Sequence, residues 1–559
     1  MNSTLDPLSR LAILHGTDKF GYHDYTPNYH AVLGHLRDQP IKLLEIGVGG
    51  YGDPDRGGES LAVWRDYFPN AEVIVGMDIQ EKKLDLGPRV KIRQGSQVDE
   101  DFLKQLCAEF GPFDVIIDDG SHRNEHVVES FRLLYPGLTD GGIYIAEDVQ
   151  TSFHPRFGGS LELTSPNSVG HFAELMLDSA AQPIARIDRF HNIFAIHKTP
   201  GKAKAKGTPR SPASLWSDPR MAAALSDKKN KVAASSRALA QEGTKVALAN
   251  HKKSAKSFSD KANKSDPKGT CGAVLATPED AQTEEALQRL WAMAEPMGLV
   301  AVVGNEGRPG SDLLRQLIAQ IDHKEIEVHF PEAPILSVAP VTYSIHAYPD
   351  GLLFELGENT YPSNFRWTAE HARTEAAIAQ MEHVLQDGDA SEKGLLQFAD
   401  ILHRHRSPAD AFPVLERLQQ KTCKERRYFQ MMGQHVQATG DTEGALKVYS
   451  EALETFPNDP QFAANVASCH LRLGNENAAE GVLRGVLNAN DRARAPMVML
   501  SKILERRGDL AEALALAERS INLFPKGQRL TRLQDLARLA ERADDPDAEA
   551  AAQRRISAL

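Results

Sequence analysis

The chain has 559 residues and a formal net charge of −12. This length exceeds what one hydrophobic core organises and indicates several domains, while the acidic balance argues against nucleic acid as a principal partner. Four widely spaced cysteines without a CxxC pair argue against a disulfide framework or a zinc finger, and no apolar run is long enough for a membrane span. We expect a soluble, cytoplasmic protein.

The first 200 residues alternate short apolar runs with amphipathic stretches. The apolar runs are IKLLEIGV, AEVIVGMDI, VKIRQGS, FDVIIDD and GGIYIAED. A strand–helix–strand rhythm of this kind requires crossover connections and predicts a parallel sheet that is covered on both faces. The prediction is a Rossmann-like α/β domain over residues 1–200, with ligands bound at the carboxyl ends of its strands.

A glycine-rich segment follows the first predicted strand. Gly47, Gly49 and Gly52 spell GxGxxG, so a dinucleotide-binding dehydrogenase is one interpretation. The stretch YGDPDRGGES, however, separates these glycines from the next predicted helix, and the acid Asp78 comes late. A glutamate two residues before the first glycine, Glu45, is typical of S-adenosylmethionine sites. We therefore favour S-adenosylmethionine over a dinucleotide, with Asp78 on the ribose hydroxyls.

Two acidic pairs follow what should be neighbouring strands. They are Asp118 with Asp119, and Glu147 with Asp148. Converging carboxylates repel one another unless a cation neutralises them, and oxygen ligands suit Mg²⁺. Such an ion would hold two neighbouring hydroxyls and lower the pKa of one of them. In the alternative reading, one pair caps helices or pairs with Arg123.

Several histidines are candidates for the base that methyl transfer requires, since a histidine near its ordinary pKa accepts a proton readily. We favour His191 and His346, because each begins a late β-hairpin that should border the same cleft. The other candidates are His122, His126 and His154.

The middle of the chain changes in composition. Residues 201–268 hold sixteen Lys and Arg against five Asp and Glu. We interpret 201–275 as a basic, low-complexity insert, flexible or partly helical, that serves as a solvated spacer. Residues 276–385 return to α/β texture and either complete the first domain or form a separate small one.

The last part of the chain repeats with a period of 34 residues. Gly440, Gly474 and Gly508 keep this spacing, as do Ala445, Ala479 and Ala513. Period and pattern predict tetratricopeptide helix pairs from about 392 to 559, stacked as an all-α superhelix. Such a surface is a candidate for binding a protein partner, and a homo-oligomer is an open alternative.

The N-terminal motifs together resemble one family. GTDKFGYHDYTPNYH, LLEIGVGGY, GGESLAVWRDYFPNAEVIVGMDI, IIDDGSH and GGIYIAEDVQTSFHP are similar to the macrocin and mycinamicin sugar O-methyltransferases over roughly residues 8–200. The resemblance implies a class I methyltransferase fold, Mg²⁺ dependence and methylation of a sugar hydroxyl, with Lys19 and Tyr25 lining the active site.

From the residues and the resemblance we select three sets of site residues. The cofactor contacts are Glu45, Gly47, Gly49, Ser60, Asp78, Gln97 at the adenine edge, and Asp118; the metal contacts are Asp118, Glu147 and Asp148; the catalytic candidates are His191, His346 and Asp119.

The leading hypothesis is an S-adenosylmethionine- and Mg²⁺-dependent O-methyltransferase that acts on a sugar hydroxyl of a glycan, glycolipid or glycosylated metabolite. A second hypothesis is a degenerate methyltransferase domain that serves as a scaffold while the repeats bind a partner protein. A metal-dependent hydroxylase is a third, although no HxD facial triad stands out.

Overall fold

The computed structural model describes residues 5–20, 23, 25–164, 166–178, 182–201, 214–258, 266–304, 312–357, 372–386 and 390–558. Contacts within the chain group these residues into two compact units, residues 1–389 and 390–559. Across the described ranges, no helix combines the length and the apolar character that crossing a membrane requires.

Seven strands from the first 200 residues form one half of a large sheet. Their spatial order is β3-β2-β1-β4-β5-β7-β6; the first five are parallel and β7 is antiparallel to both of its neighbours. This confirms the predicted Rossmann-like domain. The strands are β1 (Lys42–Ile46), β2 (Val73–Asp78), β3 (Val90–Gln94), β4 (Phe113–Asp118), β5 (Leu138–Ala146), β6 (Ile184–Phe190) and β7 (Ile193–Lys198).

Crossover helices accompany this half of the sheet, and local capping sets where they begin. Asp6 accepts backbone hydrogen bonds at the start of the first helix, which has Pro7 at its first position, and Asp99 caps the fourth. The helices are α1 (Pro7–His15), α2 (Thr26–Leu33), α3 (Glu59–Tyr67), α4 (Glu100–Phe110), α5 (Asn124–Leu134) and α6 (Ser168–Leu177), with short 3-10 helices at Gly34–Leu36, Tyr135–Gly137, Val149–Phe153 and Pro155–Phe157.

Six further strands extend the same sheet. The order continues from β6 as β12-β13-β11-β10-β8-β9, and the seam between the halves is the antiparallel pair β6–β12. Of the two alternatives for residues 276–385, the structure supports continuation of the first domain's sheet. The strands are β8 (Lys231–Ser235), β9 (Ala255–Phe258), β10 (Cys271–Ala276), β11 (Ala294–Val303), β12 (Thr342–Tyr348) and β13 (Gly351–Leu356).

The described part of the basic region is folded, which corrects the prediction of a low-complexity spacer. Residues 214–258 contain two strands of the sheet and capped helices, and Asp218 and Ser235 supply the caps. The apolar signal was weak because KVAAS and CGAVLA use small side chains, although both are buried. Residues 202–213 and 259–265 lie outside the described residues. The helices of this half are α7 (Pro219–Ser226), α8 (Ser236–Ala240), α9 (Glu242–Asn250), α10 (Glu284–Met293), α11 (Asp312–Ala319), α12 (His323–His329) and α13 (Ala372–Gln386), with 3-10 helices at Leu215–Ser217, Pro278–Asp280, Gln320–Asp322 and Ala339–Val341.

The second half repeats the architecture of the first. From the outer edge, its order β9-β8-β10-β11-β13-β12 matches β2-β1-β4-β5-β7-β6, each half ending in an antiparallel hairpin at the seam. The strand ends differ, however. Where β2 ends at Asp78 and β4 at Asp118, β9 ends at Phe258 and β10 at Ala276. The second half therefore keeps the fold but replaces these two acidic strand ends with apolar residues.

The C-terminal unit is a series of antiparallel helix pairs. The glycines at 34-residue spacing each take a left-handed backbone directly after a helix, and the alanines at the same spacing are fully buried. Gly permits this turn without strain, and the small Ala lets neighbouring helices approach closely. The helices are α14 (Glu392–His405), α15 (Pro408–Gln420), α16 (Arg426–Ala438), α17 (Thr442–Thr455), α18 (Pro460–Arg472), α19 (Glu476–Ala489), α20 (Arg494–Arg507), α21 (Leu510–Ile521), α22 (Lys526–Arg542) and α23 (Pro546–Ser557).

Candidate active site

The glycine loop after β1 packs tightly against the neighbouring strand end. Gly47 has a φ of 93°, and a Cβ there would lie 2.1 Å from the backbone oxygen of Asp119. Gly49 has a φ of 75° and faces more open space. Helix α3 begins only at Glu59, well after these glycines. The dinucleotide fingerprint, in which the helix opens inside the glycine motif, is therefore not the geometry of this loop.

Glu45 and Ser60, both predicted cofactor contacts, bond to each other. The buried Glu45 carboxylate accepts hydrogen bonds from Ser60 Oγ at 2.8 Å and Trp64 Nε1 at 3.0 Å. Burial raises the pKa of Glu45 to about 7, although Lys19 and these donors act against it. Glu45 thus links β1 to α3.

Asp78 lies at the end of β2 beside the glycine loop, as predicted. Its Oδ2 accepts the backbone N–H of Val48 at 3.0 Å, and its Oδ1 accepts that of Gln80 at 2.8 Å. Two large apolar side chains nearby face solvent: Ile79 is 62% exposed and Tyr51 is 91% exposed. Sequence reasoning missed both, although exposed apolar residues beside the acid predicted to bind ribose are suited to cover a purine ring.

Gln97 and Asp118 bond to each other at the turn after β4. Gln97 Nε2 donates to Asp118 Oδ1 at 3.1 Å, and its Oε1 accepts the backbone N–H of Ser121 at 2.8 Å. The other oxygen of Asp118 accepts from the Tyr144 hydroxyl at 2.9 Å. Both side chains are buried, and their partners hold the turn after β4. Their roles as cofactor and metal contacts stay predictions.

Asp119, Glu147 and Asp148 form the acidic group at the strand ends, with Asp119 in the place predicted for Asp118. Lys19 binds two of them: its Nζ lies 2.8 Å from Asp119 Oδ2 and 2.7 Å from both oxygens of Glu147. Tyr29 also donates to Glu147. With one buried ammonium against three carboxyl groups, the group is rich in oxygen donors of the kind that Mg²⁺ prefers.

These carboxylates differ in their affinity for protons. Burial raises the pKa of Glu147 well above its usual value, with the charge of Asp119 adding to the effect, and burial likewise raises the pKa of Asp119. Burial also acts to raise the pKa of Asp148, but the neighbouring His122 and His23 outweigh it and the pKa is lowered. Asp148 is therefore the member that ionises most readily.

Asp148 and His122 are held in unusual backbone conformations at neighbouring strand ends. Their φ angles are 54° and 55°, a left-handed region that few non-glycine residues adopt. One ligand atom from each of Asp119, His122 and Asp148 lies within 4.8 Å of the others. The His122 Nε2 atom is 3.5 Å from Asp148 Oδ2. His122 follows Asp119 by three residues in the turn after β4, a spacing that could have singled it out in the sequence.

The β6–β7 turn, which contains His191 and Asn192, borders this group. Asn192, at the β6–β7 turn, donates to Asp148 Oδ1 at 3.1 Å and to the Tyr25 hydroxyl, which itself donates to Asp148 Oδ1 at 2.5 Å. His191 Nδ1 lies 3.2 Å from Asp322 Oδ1.

His346 is fully buried at the seam, so its prediction as a catalytic residue is wrong. Its Nδ1 lies 2.6 Å from Asp188 Oδ1, and its Nε2 contacts Ser344 and Arg220. The second hairpin resembles the first in sequence because the fold is repeated, but strand pairing places its histidine inside the sheet.

A glycine loop, an acidic β2 end and a carboxylate group lie together at the carboxyl ends of parallel strands, where Rossmann-like folds bind their ligands. The N-terminal part of the chain is similar to curated sugar O-methyltransferases. It is 43% identical over 169 residues to the 8-demethyl-8-alpha-L-rhamnosyl tetracenomycin-C 2'-O-methyltransferase of Streptomyces olivaceus, covering 30% of this chain and 44% of that protein. It is 37% identical over 209 residues to the demethylmacrocin O-methyltransferase of Streptomyces fradiae, covering 34% of this chain and 53% of that protein.

A solved structure and a family model also match parts of the chain. The MycE methyltransferase from the mycinamycin biosynthetic pathway, in complex with Mg, SAH and mycinamycin VI, is 35% identical with a TM-score of 0.33 and covers 37% of this chain and 58% of that one. The chain thus spans between 44% and 58% of the length of these three relatives. Residues 437–500 match the tetratricopeptide repeat model, which confirms the predicted repeats.

Proposed function

We propose that the protein is an O-methyltransferase that uses S-adenosylmethionine and Mg²⁺ to methylate a sugar hydroxyl. The observation that carries the proposal is the convergence of Asp119, His122 and Asp148 next to the glycine loop. The activity of the relatives, which is O-methylation of sugar-bearing compounds, supports the same reaction.

The residues of the first half fit both cofactors. Gly47, Gly49, Asp78 and the exposed Ile79 would hold S-adenosylmethionine, since the loop lets the ligand approach the backbone and Asp78 offers carboxylate oxygens for ribose hydroxyls. Asp119, Glu147 and Asp148 would hold Mg²⁺, because their oxygen atoms suit that ion. When bound, the first supplies an electrophilic methyl group and the second stabilises a deprotonated hydroxyl.

The side chains around the acidic group hold its carboxylates in position and include a base for the acceptor hydroxyl. Lys19 and Tyr29 hold Glu147, and Tyr25 with Asn192 holds Asp148, so the carboxylates keep their positions without an incoming ligand. His122 is the proposed base: its imidazole is part of the group, and Asp148 stabilises the charge it gains on accepting the hydroxyl proton. His191, fixed by Asp322, is the second candidate.

The acceptor class we propose is a sugar carried on a glycan, glycolipid or metabolite, and we propose that the repeats bind a protein partner. The scaffold alternative has less support, because the glycine loop, Asp78 and the acidic group are all present. We propose a cytoplasmic location, since all four cysteines are free thiols and three of them are buried.

The test combines ligand binding with turnover. Calorimetric titration with S-adenosylmethionine, with and without Mg²⁺, should give saturable binding that Asp78→Ala and Gly49→Asp abolish. Asp148→Asn should keep that binding and suppress transfer of labelled methyl groups to a panel of rhamnosyl acceptors. Asp140→Asn, which removes an exposed carboxylate on β5, the strand that leads to Asp148, is the matched control.

Two results would contradict the proposal. If the folded wild type does not bind S-adenosylmethionine, the proposed methyl transfer from this cofactor is contradicted. Unchanged turnover in Asp148→Asn would remove the role of the acidic group while leaving the cofactor assignment intact.

A further inference from the structure

A second group of metal-ligand side chains lies apart from the acidic group. His154 follows the short helix Val149–Phe153, while Glu325 and His329 lie one turn apart on α12 and so face the same side of that helix. The first residue belongs to the first half of the sheet and the other two belong to the second. These three side chains thus meet between the halves.

The geometry of this group is that of a ligand set. Glu325 Oε1 lies 3.0 Å from His329 Nε2 and also contacts His154 Nε2. One ligand atom from each of the three residues lies within 4.8 Å of the others, and the two imidazole centres are 4.0 Å apart. The Glu325 side chain is only 3% exposed, whereas those of His154 and His329 are 16% and 27% exposed.

The donor types identify the class of ion. Two imidazoles and one carboxylate suit Zn²⁺ and similar transition-metal ions, whereas Mg²⁺ prefers oxygen ligands. Three protein ligands leave a position for water in a tetrahedral site. We propose that His154, Glu325 and His329 bind one Zn²⁺ ion, at a site separate from the Mg²⁺ site of the proposed reaction.

The position of this site indicates what the ion does. His154 lies six residues after Asp148, on the segment that leaves the acidic group. Asp322, three residues before Glu325, accepts the backbone N–H of Asn192 at 2.8 Å. An ion held by the three ligands cross-links both segments and stabilises the junction of the two halves beside the candidate active site. This role does not depend on the identity of the methyl acceptor.

The experiment uses the full chain, free of any affinity tag and stripped of metal by a chelator. Co²⁺ is titrated in the presence of excess Mg²⁺, and the visible absorption of the bound ion is followed. The expected result is one Co²⁺ per chain, displaced by Zn²⁺, together with a higher Tm when Zn²⁺ is present. His329→Ala and Glu325→Gln should each weaken Co²⁺ binding at least tenfold and remove the rise in Tm.

Two controls separate this site from other binding. His251 lies at the end of α9 and contacts Ser226, and neither residue belongs to the proposed ligand set. The variant His251→Ala should therefore bind Co²⁺ like the wild type. Asp148→Asn removes a carboxylate of the acidic group and should also leave Co²⁺ binding unchanged. Because His329 is partly exposed, His329→Ala should keep its circular dichroism spectrum.

The proposal is overturned if His329→Ala and Glu325→Gln both fold and bind Co²⁺ as the wild type does. It is also overturned if Asp148→Asn alone abolishes binding, which would assign the ion to the acidic group. An adventitious ion only, shown by weak binding without a defined stoichiometry or a change in Tm, would overturn it as well.

Discussion

At the scale of single residues, the backbone conformation just after strands β4 and β5 determines where two side chains of the candidate site lie. Asp148 and His122 both adopt positive φ angles, which cost free energy that the surrounding hydrogen bonds must offset. The conformation turns their side chains toward each other at the end of the sheet. The position of His122 beside Asp119 and Asp148 supports it, rather than the more buried histidines, as the proposed base.

Replacement of the two candidate bases should distinguish them. His122→Ala should lower kcat by about 100-fold or more, because a positioned general base contributes on the order of 10²–10⁴. His191→Ala should lower it less than about tenfold, since its role here is to border the acidic group. Steady-state kinetics with both variants is the measurement. A larger loss in His191→Ala than in His122→Ala would transfer the role to His191.

At the scale of elements, the second half supplies a buried carboxylate to the turn that borders the acidic group. Asp322 pairs with Arg189, and neither side chain is exposed to solvent. The same carboxylate accepts a hydrogen bond from the backbone N–H of Asn192 at 2.8 Å, and this bond holds the turn after β6. Burial acts to raise the pKa of Asp322, but Arg189 and His191 outweigh it and lower the pKa to about 2. This agrees with the pairing.

Asp322→Asn should therefore destabilise the protein and impair the candidate active site together. Loss of one partner from a buried ion pair costs about 3 kcal/mol, because it leaves the Arg189 charge uncompensated. Urea unfolding measures this loss in the free energy of unfolding. Asp312→Asn, an exposed carboxylate on α11, should change stability by less than about 0.5 kcal/mol. Equal effects in the two variants would contradict the role of Asp322.

Replacing each of two glycines in the repeats by alanine should change the stability of the repeats in opposite directions. Gly474 follows α18 with a φ of 79°, whereas Gly481 lies within α19, and a Cβ at either position meets no neighbour within 4 Å. Gly474→Ala should destabilise the repeats by about 1 kcal/mol, because only glycine adopts that φ without strain. Gly481→Ala should stabilise them by up to about 1 kcal/mol through helix propensity. Thermal unfolding would contradict the argument if both changes had the same sign.

At the scale of the whole sheet, the seam between the halves is polar and buried. The Asp188 carboxylate contacts the imidazole of His346 on β12 and that of His197 on β7. The guanidinium of Arg186 lies 2.9 Å from the same carboxylate. Burial lowers the pKa of His197 to about 4, with Arg186 adding to the effect, so this imidazole is neutral at pH 7. The two halves are thus joined by a group that resists protonation.

The contribution of His197 to stability should fall as the pH is lowered from 7 to 5, whereas the raised pKa of Glu45 acts in the opposite direction. An unfolded histidine, with a pKa near 6.5, binds a proton in this range while His197 does not, so protonation favours the unfolded state. The loss attributable to His197 is about 2 kcal/mol at pH 5. Urea unfolding at several pH values, compared with His197→Gln, is the test. An equal slope against pH in the two proteins would contradict the neutral state of His197.

Elements whose signals are local along the chain could be predicted from the sequence. The apolar runs predicted the first five parallel strands, the glycine and acidic motifs marked their ends, and the 34-residue period predicted the repeats, because each depends on neighbours close along the chain. Only the tertiary structure shows that Asp119 lies beside Glu147 and Asp148, that His346 is buried in the seam, and that residues 214–258 belong to the sheet. Those outcomes depend on which way a side chain turns at a strand end and on strand pairing between residues far apart, such as Asp188 with His346. Neither leaves a periodic signal in the sequence.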